Sequence, residues 1–252
     1  MQPLLGVSLK MYMGAEQTRA WVRSVRDIVD GEGAELNVDV FILPSFPLVD
    51  SVSQILAGSR VHWGAQDLAA DGAGAQTGEV SGSMLAEMGC RYVEVGHAER
   101  RRMFAETEEV VAAKAAQAFA HGLVPIICIG ETTRTSSADA ARVCIEQLTS
   151  ALAGDRGHDI VVAYEPVWAI GADQPADPSH VRQVCRELRS HLTSRTGRGS
   201  ILYGGSAGPG TYSHLGSAVD GLFLGRFAHD PTRFASVLRE IGDRSRAELT
   251  TR

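Results

Sequence analysis

The chain is poor in the residues that mark several large classes of protein. Four cysteines occur in 252 residues; Cys90, Cys128, Cys144 and Cys185 form no Cys-x-x-Cys or Cys/His spacing. Neither a disulfide framework nor a zinc site is indicated, and a reducing cytoplasmic setting is expected. Positive charge is also short, with 24 Lys and Arg against 30 Asp and Glu, a formal charge of −6. That is the wrong sign for a protein held on nucleic acid by phosphate contacts. No run approaches the roughly 18 uninterrupted apolar residues of a membrane span. The opening MQPLLGVSLKMYMG has no basic segment leading into an apolar one, so neither membrane spanning nor export is expected. Glycine is frequent, yet no Gly-rich linker, short repeat or low-complexity tract divides the chain.

What is present is 44% hydrophobic and 21% charged residues, enough to bury a substantial core. A chain of about 250 residues suits an α/β barrel folded as one domain, so residues 1–252 are read as one unit. Short apolar runs recur at Leu4–Leu9, Val38–Leu43, Val61–Ala65, Tyr92–Val95, Val124–Ile129, Ile160–Ala163, Ser200–Tyr203 and Gly221–Leu224. Each has strand length and most are rich in β-branched residues. Amphipathic stretches alternate with them: Thr18–Val29, Glu108–His121, Ala138–Leu152, Pro178–Thr193 and Pro231–Ile241. About eight strands alternating with helices predict parallel βα units. A closed barrel and an open doubly wound sheet both fit, and periodicity does not choose between them. Asp67–Ser81, rich in Gly and Ala, reads as a long loop, which in a barrel would leave the third strand at its C-terminal end, where active sites are built.

Polar residues cluster where strands end. Lys10 closes the first apolar run; it is either a solvated surface lysine or a fixed cation for a phosphate or a polarised oxygen. In Tyr92-Val93-Glu94-Val95-Gly96-His97-Ala98-Glu99-Arg100-Arg101, a glycine ends a strand and His97 starts a helix. The helix dipole there disfavours imidazolium. Arg100 and Arg101 are candidates for ion pairs with Glu94, Glu99 or Glu106. In Val161 to Gly171, Glu165 leaves a buried strand and enters an apolar segment with Pro166 and Trp168. It is an acid at a strand end, or a carboxylate base beside a lid that excludes water. Two glycine turns, Gly204-Gly205-Ser206 and Gly225-Arg226, follow late strands, where backbone amides approach anions closely.

These segments resemble the triosephosphate isomerase family across nearly the full chain, through VEVGHAERR, VPIICIGE, VAYEPVWAIG and YGGSA in order. The resemblance implies a (β/α)8 TIM barrel in the α/β class. It also implies that Lys10 is a catalytic cation, His97 a neutral electrophile, Glu165 the base and Glu99 the acidic partner of the lysine. Pro166, Val167, Trp168, Ala169 and Ile170 would begin a lid running to Ala176. Gly171, Ser206 and Gly225 would bind phosphate through their amides, and Thr77 would reach a neighbouring subunit in a homodimer. The substrate would be a small phosphorylated sugar, with no metal and no organic cofactor.

Three positions and one short segment depart from the family pattern. Ser8 replaces an asparagine and Ala98 a serine; Gly171-Ala172-Asp173-Gln174, followed by Pro175, replaces Gly-Thr-Gly-Lys; and Arg226 replaces the second glycine of a pair. The leading expectation is interconversion of dihydroxyacetone phosphate and glyceraldehyde 3-phosphate through an enediolate, as in glycolysis and gluconeogenesis. Ser8 and Arg226, as substrate-binding residues, motivate a second, an isomerase of a four-carbon ketose phosphate in polyol catabolism. A third is a sugar-phosphate-binding protein without turnover.

Overall fold

The computed structural model describes residues 2–155, 157–170 and 175–250. The strands are β1 (Leu4–Ser8), β2 (Asp39–Leu43), β3 (Val61–Ala65), β4 (Tyr92–Val95), β5 (Val124–Ile129), β6 (Ile160–Tyr164), β7 (Gly199–Tyr203) and β8 (Gly221–Leu224). All pair in parallel with their sequence neighbours, and β1 pairs with β8 at Leu4 and Gly221. That last pairing answers what periodicity left open: the sheet closes into a barrel.

Helices return the chain from the end of each strand to the start of the next. They are α1 (Ala15–Asp30), α2 (Val49–Leu56), α3 (Gly82–Glu87), α4 (Ala98–Phe104), α5 (Glu108–Ala120), α6 (Ser137–Ala151), α7 (Pro178–Leu192), α8 (Thr211–Leu215) and α9 (Pro231–Thr250). Several begin on a side-chain cap: Ser136 accepts from the Asp139 N–H, Thr107 from Val110 and Asp177 from Ser179. Asp67–Ser81 carries no helix or strand, as expected.

Strand alternation divides the core in two. On β6, Ile160, Val162 and Tyr164 face the helices, while Val161 and Ala163 face the barrel interior among Leu4, Phe41, Leu202 and Phe223. The same parity carries Ser8 inward at the end of β1 and Glu94 inward on β4, beside Tyr92. Polar side chains thereby cap the apolar interior at its C-terminal end. Among the described residues no helix is long and apolar enough to cross a membrane.

Candidate active site

The C-terminal mouth of the barrel opens into a cavity of about 380 Å³ lined by Ser8, Lys10, His97, Glu99, Ile170, Arg226 and other residues. Glu165, Ser206 and Gly225 also line it, so residues named from five separate segments converge on one space. Gly171 lies outside the described residues, as do Ala172, Asp173 and Gln174. Thr77 sits exposed on the Asp67–Ser81 connection, away from the cavity.

Lys10 follows β1 with a φ of 52°, a left-handed conformation that costs a non-glycine residue about 1–3 kcal/mol. Its carbonyl is held there by the Ser45 hydroxyl at 3.0 Å and the Gln66 amide at 3.2 Å. The ammonium donates to Glu99 Oε1 at 2.9 Å. Burial alone would lower the lysine pKa, but the bond to Glu99 and the fields of Glu165, Glu99 and Glu94 outweigh it and raise the pKa. Burial works against the Glu99 anion too, and Lys10 more than offsets it, so the Glu99 pKa falls. The pair is therefore ionised at neutral pH. The chain has two lysines; the other, Lys114, is buried between Asp67 and Glu106 at 2.6 Å from each. Lys10 is thus the lysine that serves the cavity.

Gly96, with a φ of 69°, turns the chain after β4 so that His97 caps α4. His97 Nδ1 accepts the Glu99 N–H at 3.2 Å, and Nε2 lies 3.3 Å from Glu165 Oε2. The acceptor role of Nδ1 places the hydrogen on Nε2, which faces the cavity. Burial disfavours imidazolium, as the helix dipole does. Glu165 and Glu94 oppose both and push the imidazole up to about 9. In either charge state the Nε2–H is the hydrogen offered to a bound oxygen.

Glu165 follows β6 on the interior face, 6% exposed. Its backbone N–H is fixed by the Ile129 carbonyl at 2.9 Å. A Cβ at position 204 would stand 2.4 Å from Glu165 Oε1, so Gly204 keeps the space that the carboxylate occupies. Pro166 leads into a short 3-10 turn, Val167–Ala169. The Trp168 indole donates to Glu131 at 2.7 Å, and the Ser206 hydroxyl donates to the Ala169 carbonyl at 3.2 Å. The apolar segment is therefore tethered to the barrel on one side and to the β7 turn on the other. Among the described residues neither the Ser206 nor the Gly225 N–H donates to a turn or loop carbonyl. Arg226 is exposed at the rim, its guanidinium 5.5 Å from the centre of the Tyr12 ring. Among the described residues no group of three or more His, Cys, Asp or Glu could hold a metal ion.

The two arginines after His97 are structural. Arg100 pairs with Asp67 at 2.8 Å and Glu106 at 2.5 Å; Arg101 pairs with Glu108 at 2.6 Å and donates to the Gly96 carbonyl. Of the acids offered to them by sequence, only Glu106 is taken. Glu94 instead turns into the barrel and accepts the Ser8 hydroxyl at 2.9 Å. Tyr12, Phe227 and Gly208 also line the cavity and carried no sequence signal.

Comparison with known proteins agrees with this geometry. The family described as triosephosphate isomerase matches residues 3–241. The chain is 51% identical to L-erythrulose-1-phosphate isomerase of Pectobacterium atrosepticum, over 94% of each chain. It is 38% identical to triosephosphate isomerase of Symbiobacterium thermophilum, over 93% of this chain and 95% of the relative. It is 36% identical to that of Thermus thermophilus, over 95% and 98% respectively. With a family model over nearly the whole chain, full-length relatives and a closed eight-stranded barrel, the chain belongs to the triosephosphate isomerase family.

Proposed function

We propose that the protein isomerises a four-carbon ketulose phosphate, moving its carbonyl by one carbon. Both substrate readings drawn from the sequence use the same reaction type. The observation favouring the four-carbon one is the 51% identity to a relative named for L-erythrulose 1-phosphate, against 35–42% for relatives named triosephosphate isomerase.

In the proposed reaction the phosphate rests on the Ser206 and Gly225 amides near Arg226. The reacting carbons then face the His97 Nε2–H and the Glu165 carboxylate from the cavity side. The Glu165 carboxylate removes the proton from the carbon beside the carbonyl, on the side away from the phosphate. The C–H electron pair forms a carbon–carbon double bond, and the carbonyl electrons move onto oxygen. Lys10 and the His97 Nε2–H stabilise that oxyanion. His97 then moves a proton between the two enediolate oxygens, and Glu165 returns its proton to the former carbonyl carbon. No atom is gained or lost. A triose phosphate would give an aldehyde by the same route; a ketulose 1-phosphate gives the isomeric ketose.

The test is kcat/KM on L-erythrulose 1-phosphate against dihydroxyacetone phosphate. The four-carbon substrate is expected to be preferred by at least about fivefold, since one well-made additional hydrogen bond contributes about 1 kcal/mol or more. Preference for dihydroxyacetone phosphate would return the protein to the three-carbon reading.

Homodimer formation is part of the same proposal. Met11, Tyr12, Met84, Met103 and Phe104 are exposed apolar side chains, Met11 to 93% and Phe104 to 61%. Such a set is what a buried interface covers. Sedimentation is expected to give twice the chain mass, and Thr77→Arg, at the tip of the Asp67–Ser81 connection, is expected to shift the equilibrium toward monomer. A monomeric parent would contradict the dimer.

A further inference from the structure

Behind the cavity wall lies a carboxyl group that the proton transfers do not use. Glu94 is 3% exposed and takes the Ser8 hydroxyl on Oε2 at 2.9 Å. Its Oε1 receives the Cys128 thiol at 3.7 Å and stands 3.9 Å from His97 Nε2. Among the described residues no lysine or arginine nitrogen lies within 4.0 Å of it; His97 alone does. Burial pushes its pKa up. A carboxyl taken out of water without a full cationic partner is costly, so a role beyond ion pairing is called for.

The consequence for Ser8 is directional. Ser8 lines the cavity and Glu94 lies behind it. A serine hydroxyl has one hydrogen, and here it is committed to Glu94, so a lone pair is left for the cavity. Ser8 is 3% exposed, at the deep end, while Arg226 stands exposed at the rim. A phosphate held at the rim directs the opposite end of the substrate toward Ser8.

We infer that Ser8, oriented by Glu94, is the specificity-determining acceptor for a substrate hydroxyl on the carbon beyond the reacting pair. This rests on the four-carbon reading and deepens it. A ketulose phosphate carries a hydroxymethyl group on the carbon that Glu165 deprotonates; a triose phosphate has none. The hydroxyl donates to Ser8, and the shorter substrate leaves that acceptor unpaired. Glu94 is a positioning residue that acts through Ser8.

The test is the ratio of kcat/KM on L-erythrulose 1-phosphate to that on dihydroxyacetone phosphate, in the parent and in Ser8→Ala, Glu94→Leu and Glu94→Gln. The ratio is expected to fall about fivefold or more in Ser8→Ala and Glu94→Leu, the worth of one hydrogen bond. It is expected to stay within about threefold of the parent in Glu94→Gln, whose amide oxygen still accepts from Ser8. Ser8→Ala alone decides the matter should Glu94→Leu fail to fold. An unmoved ratio in Ser8→Ala, or equal losses on both substrates, overturns the inference while a four-carbon preference in the parent stands. A parent without turnover of the four-carbon substrate overturns the substrate reading and the role of Ser8 with it.

Discussion

Glu165→Gln is expected to fold, to bind inorganic phosphate with an affinity near that of the parent, and to lose at least about 10³-fold in kcat, within the range that general-base catalysis contributes. The amide keeps the size and hydrogen-bonding outline of the carboxylate but has no basic lone pair at neutral pH. The position is well held: the Ile129 carbonyl fixes the backbone, and Gly204 leaves the side chain its space. The loss is therefore expected in kcat. Steady-state assays with a phosphate-binding titration separate the two effects; unchanged kcat would remove Glu165 from the chemistry.

Lys10→Met is expected to have the next largest effect, raising KM by about 10²-fold and lowering kcat as well. Two unit charges about 4 Å apart near a protein surface interact by about 4 kcal/mol, which screening and the neighbouring Arg226 reduce. Methionine keeps the length of the stem and removes the charge together with the bond to Glu99. Arg226→Ala is the comparison, with a smaller expected effect, because its guanidinium is exposed and lies over Tyr12 at the rim. The Lys10 ammonium sits 2.9 Å from Glu99 on the cavity wall. Equal effects of the two substitutions would move the principal anion contact to the rim. The raised Lys10 pKa keeps the ammonium charged through neutral and mildly alkaline pH, so loss of its charge does not set an alkaline limit there.

Much of this architecture was legible in the sequence because strands buried on both faces are written as unbroken apolar runs. Tyr164 extended its run by one residue, and Leu9 fell just outside its strand. The α9 helix ran past Ile241 because its last turns are polar and carry no apolar stripe. The short helices α2, α3 and α8 leave no mark in the sequence, since five to eight residues hold too little periodicity. Site residues at strand ends could be read because a barrel gathers all such ends in one place. Long-range partners could not. Nothing near Lys10 in sequence announces that Ser45 and Gln66 hold its carbonyl. Glu94 was offered to the nearby arginines, yet the alternation Tyr92-Val93-Glu94-Val95 had already placed it on the face of Tyr92. What was missing was that this face is the interior, which only closure of β8 onto β1 decides.

The central claim is that Glu165 moves a carbon-bound proton of a ketose phosphate held in this cavity. Incubating L-erythrulose 1-phosphate with the protein in D2O and following it by NMR tests this directly. The account predicts the isomeric ketose together with deuterium on the carbon beside the carbonyl, and neither in Glu165→Gln. Bound substrate with no isomer and no exchanged carbon position in the parent would contradict it and leave a protein that only binds.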